Sequence, residues 1–277
     1  MTFLQVLGFI CSLLIGLCLG LMGGGGSMLT VPVLVYLLDI NPLLSTAYSL
    51  FVVGTTSLVG AVSYIQKQQV HYRVALLFSL PSFIAIFLIR RYIVPAIPDL
   101  LVTTESFRLS KTVTLMILFG LVMLGVSILM LTDRRMQTSG STLSTHYDSL
   151  RVPLTGLFVG SLTGLVGIGG GFLIVPALVV LVRLPMKKAV GTSLLIIAAN
   201  ALIGFVSNMD TDELDWPFLL VFTALAVLGI LIGAYVSRFI SGPQLRRAFG
   251  WSVLGLSLFI IAKETLSLSK GAIPFQQ

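Results

Sequence analysis

The chain has 277 residues, of which 56% are hydrophobic and only 10% charged, and its formal net charge is +7. Soluble domains carry about 25% charged residues, so the composition excludes an ordinary water-soluble globule. The surplus of base does not point to nucleic acid either, because Lys and Arg sit in short loops between apolar runs, where membrane orientation puts them.

In chain order, apolar segments run over 4–22, 28–38, 43–65, 74–94, 112–131, 153–167, 172–182, 189–208, 216–237 and 249–262. Met1 to Phe3 carries no base, so the first segment is expected to be a retained helix rather than a cleaved leader. Cys11 and Cys18 fall seven apart on one face of it. They cannot pair there, lack His or carboxylate neighbours for a metal, and read as small apolar packing residues. Most segments are long enough to cross a bilayer. Two are not: 28–38 and 172–182 would extend about 17 Å as helices, half of the hydrocarbon core. Each follows a glycine cluster, Gly23-Gly24-Gly25-Gly26 or Gly167-Ile168-Gly169-Gly170-Gly171.

That coincidence marks a duplication. With a shift of 144 residues, 20–38 matches 164–182 at eleven of nineteen positions. Pro32 meets Pro176, Ser49 meets Ser193, Gly60 meets Gly204 and Ser63 meets Ser207. Near 94–108 the first half carries about fourteen extra residues, after which Phe119-Gly120 meets Phe249-Gly250. Residues 1–131 are therefore the first transmembrane repeat and 152–277 the second. The Ser- and Thr-rich stretch 132–151 is expected to be a cytoplasmic linker.

Corresponding loops carry opposite charge. Lys67 and Arg73 lie in 66–73, whereas 209–215 holds Asp210, Asp212, Glu213 and Asp215. Arg183, Lys187 and Lys188 lie near 183–188, whereas 39–44 holds Asp39 and no base. Opposite bias is expected of halves inserted upside down. The fold class is thus an all-α polytopic membrane protein of two inverted tandem repeats. Each repeat is a re-entrant helical hairpin with a glycine tip followed by about three transmembrane helices, with both termini outside. The loop 90–111 disagrees, holding Arg90, Arg91, Arg108 and Lys111 on the side expected to be outside.

Two constellations are candidates for chemistry. The helix after each glycine cluster, starting at Ser27 or Phe172, points its N-terminus at the tip, with free N–H groups and about half a positive charge. Two such ends converging from opposite sides would hold an anion at the midplane. The candidate contacts are Gly23, Gly24, Gly25, Gly26, Ser27, Gly167, Gly169, Gly170 and Gly171. A soluble phosphate loop is excluded because no Lys-Ser or Lys-Thr follows the glycines. Close helix packing is the competing reading, although it does not explain an under-length helix after each cluster. The second constellation is a polar stripe of Ser49, Thr56 and Ser63 matched by Ser193, Asn200 and Ser207. At seven-residue spacing each trio shares a helix face, and Ser49, Thr56, Ser193 and Asn200 are the candidate ligands. Ordinary interhelical hydrogen bonding accounts for the same residues.

All ten carboxylates fall in loops or near segment ends, so no proton relay or cation site stands out, and neither enzyme activity nor a cofactor is expected. The doubled pattern of Gly20 to Pro32 and Gly164 to Pro176, with Ala189-Val190-Gly191-Thr192-Ser193, resembles the sulfite exporter TauE/SafE family. The resemblance covers about Leu4 to Leu266. It implies a multi-pass transporter of sulfite or organosulfonates in a bacterial inner membrane, exporting by alternating access, with a small anion and the lipid bilayer as its partners. Uptake of a related anion and a non-transporting membrane scaffold are the alternatives. In the first half, Ala47-Tyr48-Ser49 replaces Gly191-Thr192-Ser193 and Gly24 stands opposite Ile168.

Overall fold

The computed structural model describes residues 3–93, 96, 100–104, 107–132, 150–166, 171–207 and 214–269. Its helices are α1 (Phe3–Met22), α2 (Ser27–Pro32, continued by a π-helical turn, Val33–Leu37), α3 (Pro42–Gln66), α4 (Tyr72–Leu88, continued by the π-helical turn Ile89–Ile93) and α5 (Lys111–Thr132). In the second half they are α6 (Arg151–Val166), α7 (Gly171–Val180), α8 (Met186–Ser207), α9 (Trp216–Val236) and α10 (Gly242–Ser269). Every apolar segment of the sequence has become one of these, so the chain is an all-α polytopic membrane protein. The sequence did not foresee a short antiparallel hairpin, β1 (Leu100–Thr104) with β2 (Phe107–Ser110), in which Thr104 faces Phe107 and Leu100 faces Ser110. It occupies the stretch by which the first half exceeds the second. Residues 133–149 of the expected linker and Gly167 to Gly170 lie outside the described residues.

Five helices are long and apolar enough to cross a membrane, over Leu44–Gln66, Tyr72–Ile93, Met186–Val206, Trp216–Val236 and Gly242–Lys263. The sixth expected span is α5, whose described apolar stretch, Met116–Thr132, is shorter. Large apolar side chains cover the outside of these helices: Leu76, Leu80 and Phe87 on α4, Leu220 and Leu228 on α9, Trp251 and Phe259 on α10 are all exposed. Water would penalise such a belt, and lipid does not. Local signals start the helices. Asp215 Oδ1 accepts from Phe218 N–H at 3.2 Å at the head of α9, and His71 Nδ1 accepts from Val74 N–H at 3.4 Å at the head of α4.

The packing repeats as the sequence does. Helix α1 runs parallel to α9, with Gly16 against the Ala226 carbonyl and Gly20 against that of Ile230. Its counterpart α6 runs parallel to α4, with Gly160 against the Ser82 carbonyl and Gly164 against Ile86 and Ile89. Ser82 and Ala226 are themselves 144 apart, so one contact has been built twice. No hydrophobic effect drives helices together in lipid; small residues instead let backbones approach until dispersion and polar contacts hold them. The two remaining pairs match a helix with its own repeat-mate, and both are antiparallel. Gly54 of α3 meets Leu202 of α8, and Gly60 meets Leu194, while Phe51 and Phe205 lie 5.1 Å apart between ring centroids. Gly120 of α5 meets Ile261 of α10, and Gly250 of α10 meets Leu131 of α5.

The half-helices differ in burial. Phe172 through Val179 of α7 are all buried, whereas α2 buries Ser27 and Thr30 but exposes Leu29 and Pro32. Pro32 supplies no N–H to the helix it sits in, and the backbone widens into the π turn that follows.

Two stability outcomes are expected. Gly16→Ala and Gly160→Ala push a methyl into a facing carbonyl and should each cost about 1–3 kcal/mol. Gly125→Ala and Gly255→Ala meet nothing within 4 Å. Each should be neutral or stabilising, by up to ~1 kcal/mol from helix propensity. Thermal unfolding in detergent checks both. The second concerns His71, which burial first, and then the charges of Lys188 and Arg73, hold below the usual value of 6.5, with its backbone hydrogen bond opposing them. A depressed histidine binds its proton less readily folded than unfolded. The cap therefore contributes above the unfolded value and loses its contribution as pH falls through the folded one. Unfolding followed between pH 8 and pH 5 should show this loss in the parent and not in His71→Asn, which caps without titrating.

Candidate functional site

The first tip is built from four glycines with separate duties. Gly23 closes α1 at φ +74, donating its N–H to Leu19 O at 2.8 Å. That left-handed conformation favours glycine, and a Cβ would strike Ser193 Oγ and Val175 of the other repeat. Gly24 lies against Gly171 O and the Phe172 Cα, leaving no room for a side chain. Gly26 packs under Ile15 O and Leu19. Gly25 alone of the four has space: the nearest atoms to an added Cβ belong to Met22 and Phe249, at 3.4–3.6 Å, ordinary van der Waals contact.

Beyond the tip, Ser27 opens α2. Its Oγ donates to Gly24 O at 2.7 Å, and its N–H reaches the same oxygen at 3.3 Å. Leu29 N–H and Thr30 Oγ1 both donate to Gly26 O, at 3.1 and 3.4 Å. Some donors expected to be free at this end are thus used within the turn itself. Gly171, which opens α7, comes close to Ser27 Oγ, since a Cβ on it would lie 3.2 Å away. The two half-helices therefore meet N-terminus to N-terminus. Two partial positive charges face each other in a region with no carboxylate among its described neighbours.

Of the sequence-derived candidates, Gly23 and Ser193 are brought together, as are Gly24, Ser27 and Gly171. Ser193 Oγ donates to Val190 O at 2.8 Å within α8. Gly167, Gly169 and Gly170 lie outside the described residues. The polar stripe is split by distance. Ser49 and Ser63 stand about 21 Å apart along α3, too far to serve one small anion. Ser49 is buried at the end of α3 remote from the first tip, and Asn200 is half-buried on α8. Thr56 lies midway along α3, fully buried, and its hydroxyl has no hydrogen-bond partner among the described residues. Sequence reasoning missed Ser57, whose hydroxyl is also buried and unpartnered. It also missed Tyr64, which donates to Gly20 O at 2.7 Å and lies 3.0 Å from Ser237 Oγ, tying α3 to α1 and α9. The available signal was a polar step beside the stripe: Ser57 adjoins Thr56, and Tyr64 follows Ser57 by seven residues.

A polytopic helical membrane protein with two broken, end-to-end half-helices is built as a membrane transporter, and comparison with known proteins agrees. The chain belongs to the sulfite exporter TauE/SafE family, whose model matches residues 8–260. A probable membrane transporter protein of Xylella fastidiosa is 30% identical over 262 residues, covering 92% of this chain and 94% of its own. The probable membrane transporter protein YunE of Bacillus subtilis is 27% identical over 258 residues, covering 84% and 89%. A probable membrane transporter protein of Methanocaldococcus jannaschii is 24% identical over 274 residues, covering 93% and 94%. No solved structure gives a significant match.

The tip geometry separates packing from binding. Gly24→Ala should unfold or misassemble the junction, lowering the melting temperature. Gly25→Ala should leave it unchanged while reducing transport at least about tenfold, because a methyl covers the tip without a collision. Equal stability with undiminished flux in Gly25→Ala would assign the cluster to packing alone.

Proposed function

We propose that the chain carries small oxyanions, sulfite or simple sulfonates foremost, across the membrane by alternating access around the junction of its two tips. The observation that carries this reading is the meeting of the α2 and α7 N-termini at Ser27 and Gly171. Hydroxyls and backbone N–H groups suit an oxyanion, and they avoid the cost of burying a fixed cation. Antiparallel pairing of α3 with α8, and of α5 with α10, supports halves inverted relative to each other, as broken-helix transporters require. The charge bias supports the side. Lys67, Arg73, Lys187, Lys188 and Arg238 gather at one end, which is then cytoplasmic, while Asp39 and Asp215 mark the other. Export is the direction in keeping with the family's description. Catalysis has no part in this reading, since it asks the site only to bind and release.

The magnitudes fit a carrier. Each helix end contributes about 0.3–2 kcal/mol to holding an anion, so two ends and a few hydroxyls reach about 4 kcal/mol, a millimolar affinity. Cargo held this weakly can leave again.

Proteoliposome flux tests the proposal. Labelled sulfite should move in vesicles that contain the protein and not in protein-free ones. The flux should saturate near millimolar and be suppressed by excess sulfonate, with acetate a poorer competitor. Folded protein that moves no anion would remove the reading.

A further inference from the structure

The connections 66–73, 181–188 and 236–247 contain no Asp or Glu, yet they bring Lys67, Arg73, Arg183, Lys187, Lys188 and Arg238 to one end of the molecule. Membrane orientation explains a surplus of base but not where the ammonium groups point. Lys67 turns inward. Its Nζ donates to Ala234 O at 2.8 Å and stands 5.4 Å from the centroid of the Tyr64 ring. Ala234 packs on Gly20 together with Ile230 and Gly233, just before the first tip, and the Tyr64 hydroxyl donates to Gly20 O. Lys187 Nζ reaches Arg238 O at 3.4 Å, and the Arg238 guanidinium lies 3.7 Å from the Tyr235 ring centroid. Three cations thus gather around the C-terminal end of α9, the helix that packs on α1.

We propose that Lys67, Lys187 and Arg238 form a receiving site at this mouth for the transported oxyanion, favouring doubly over singly charged anions. The inference rests on the anion-transport reading above. Partial burial first, then the charges of Arg238 and Lys187, hold Lys67 below the usual lysine value, with no carboxylate among the described residues opposing them. A field of one sign at a mouth raises the local concentration of counter-ions and the rate at which they enter. Lys67 also sits on a carbonyl in the last turn of α9, a favourable place for a cation in any helix. That structural role alone would affect stability without affecting anion affinity.

The experiment is sulfite flux against concentration in proteoliposomes at pH 8, at low and high ionic strength, for the parent and for Lys67→Gln/Lys187→Gln. At low ionic strength the double variant should raise KM on the order of tenfold, leave maximal flux nearly unchanged, and flatten the salt dependence. Lys67→Arg/Lys187→Arg should restore all three, and Arg91→Gln, at the opposite end, should alter none. A double variant with parental KM and salt dependence overturns the proposal while leaving transport standing, as does a defect confined to melting temperature. A KM effect present only in vesicles of anionic lipid would assign the cluster to a headgroup and likewise overturn it. A folded parent that moves no oxyanion overturns the transport reading itself, and this inference with it.

Discussion

A chain that stops partway through a bilayer leaves helix ends with polar groups that lipid cannot satisfy, so those ends must be enclosed by protein. The two half-helices α2 and α7 impose that constraint, and much of the architecture answers it. Helix α7 is buried from Phe172 to Val179, and α3 and α8 cross beside the junction. The first tip turns its own carbonyls, Gly24 O and Gly26 O, onto Ser27, Leu29 and Thr30. What is left at the junction is the positive character of two helix starts, and that is the chemical content of the proposed site.

Glycine serves this arrangement in two physically distinct ways. On the long helices it removes side chains so that backbones touch, as Gly16 does on Ala226 and Gly160 on Ser82. At the tip it permits a conformation and a junction, as Gly23 and Gly24 do. Gly25 answers to neither need. The same contacts recur in both halves, so a movement available to one is available in mirror sense to the other. Alternating access, the mechanism proposed above, asks for two conformations of nearly equal energy, and a duplicated construction with its halves inverted would supply them without separate design.

Much of the fold was legible in the sequence because lipid simplifies the code. A run of apolar residues near the bilayer thickness is a helix, and segments such as 43–65 and 74–94 fall within a few residues of α3 and α4. The duplication was legible because glycine, proline and serine recur in one register, and the structure realises that register as contacts. Three things were not legible. The β1–β2 hairpin lies in an insertion without apolar periodicity. The start of α10 at Gly242 precedes its apolar run, because Gln244, Arg246 and Arg247 are helical but polar. The length of the polar stripe follows from helical rise, but which part of it lies near the first tip depends on the antiparallel register of α3 against α8, a tertiary fact that seven-residue spacing does not contain. Periodicity placed Ser49, Thr56 and Ser63 on one face; only distance separates them into different environments.

Electrostatics orders the path as well as the site. Bases gather at one end, the helix starts at the junction carry partial positive charge, and the buried hydroxyls of Thr56 and Ser57 on α3 have no partner among the described residues. In the transport reading proposed above, an oxyanion leaving water meets progressively fewer full charges and more dipoles, which bind without holding. The most direct measurement is anomalous diffraction from crystals soaked in selenite, the heavier analogue of sulfite. A selenium peak within hydrogen-bonding distance of the 24–27 turn and Gly171 is the predicted result. Selenium found only at the loop lysines, with the junction empty at saturating selenite, would contradict the account.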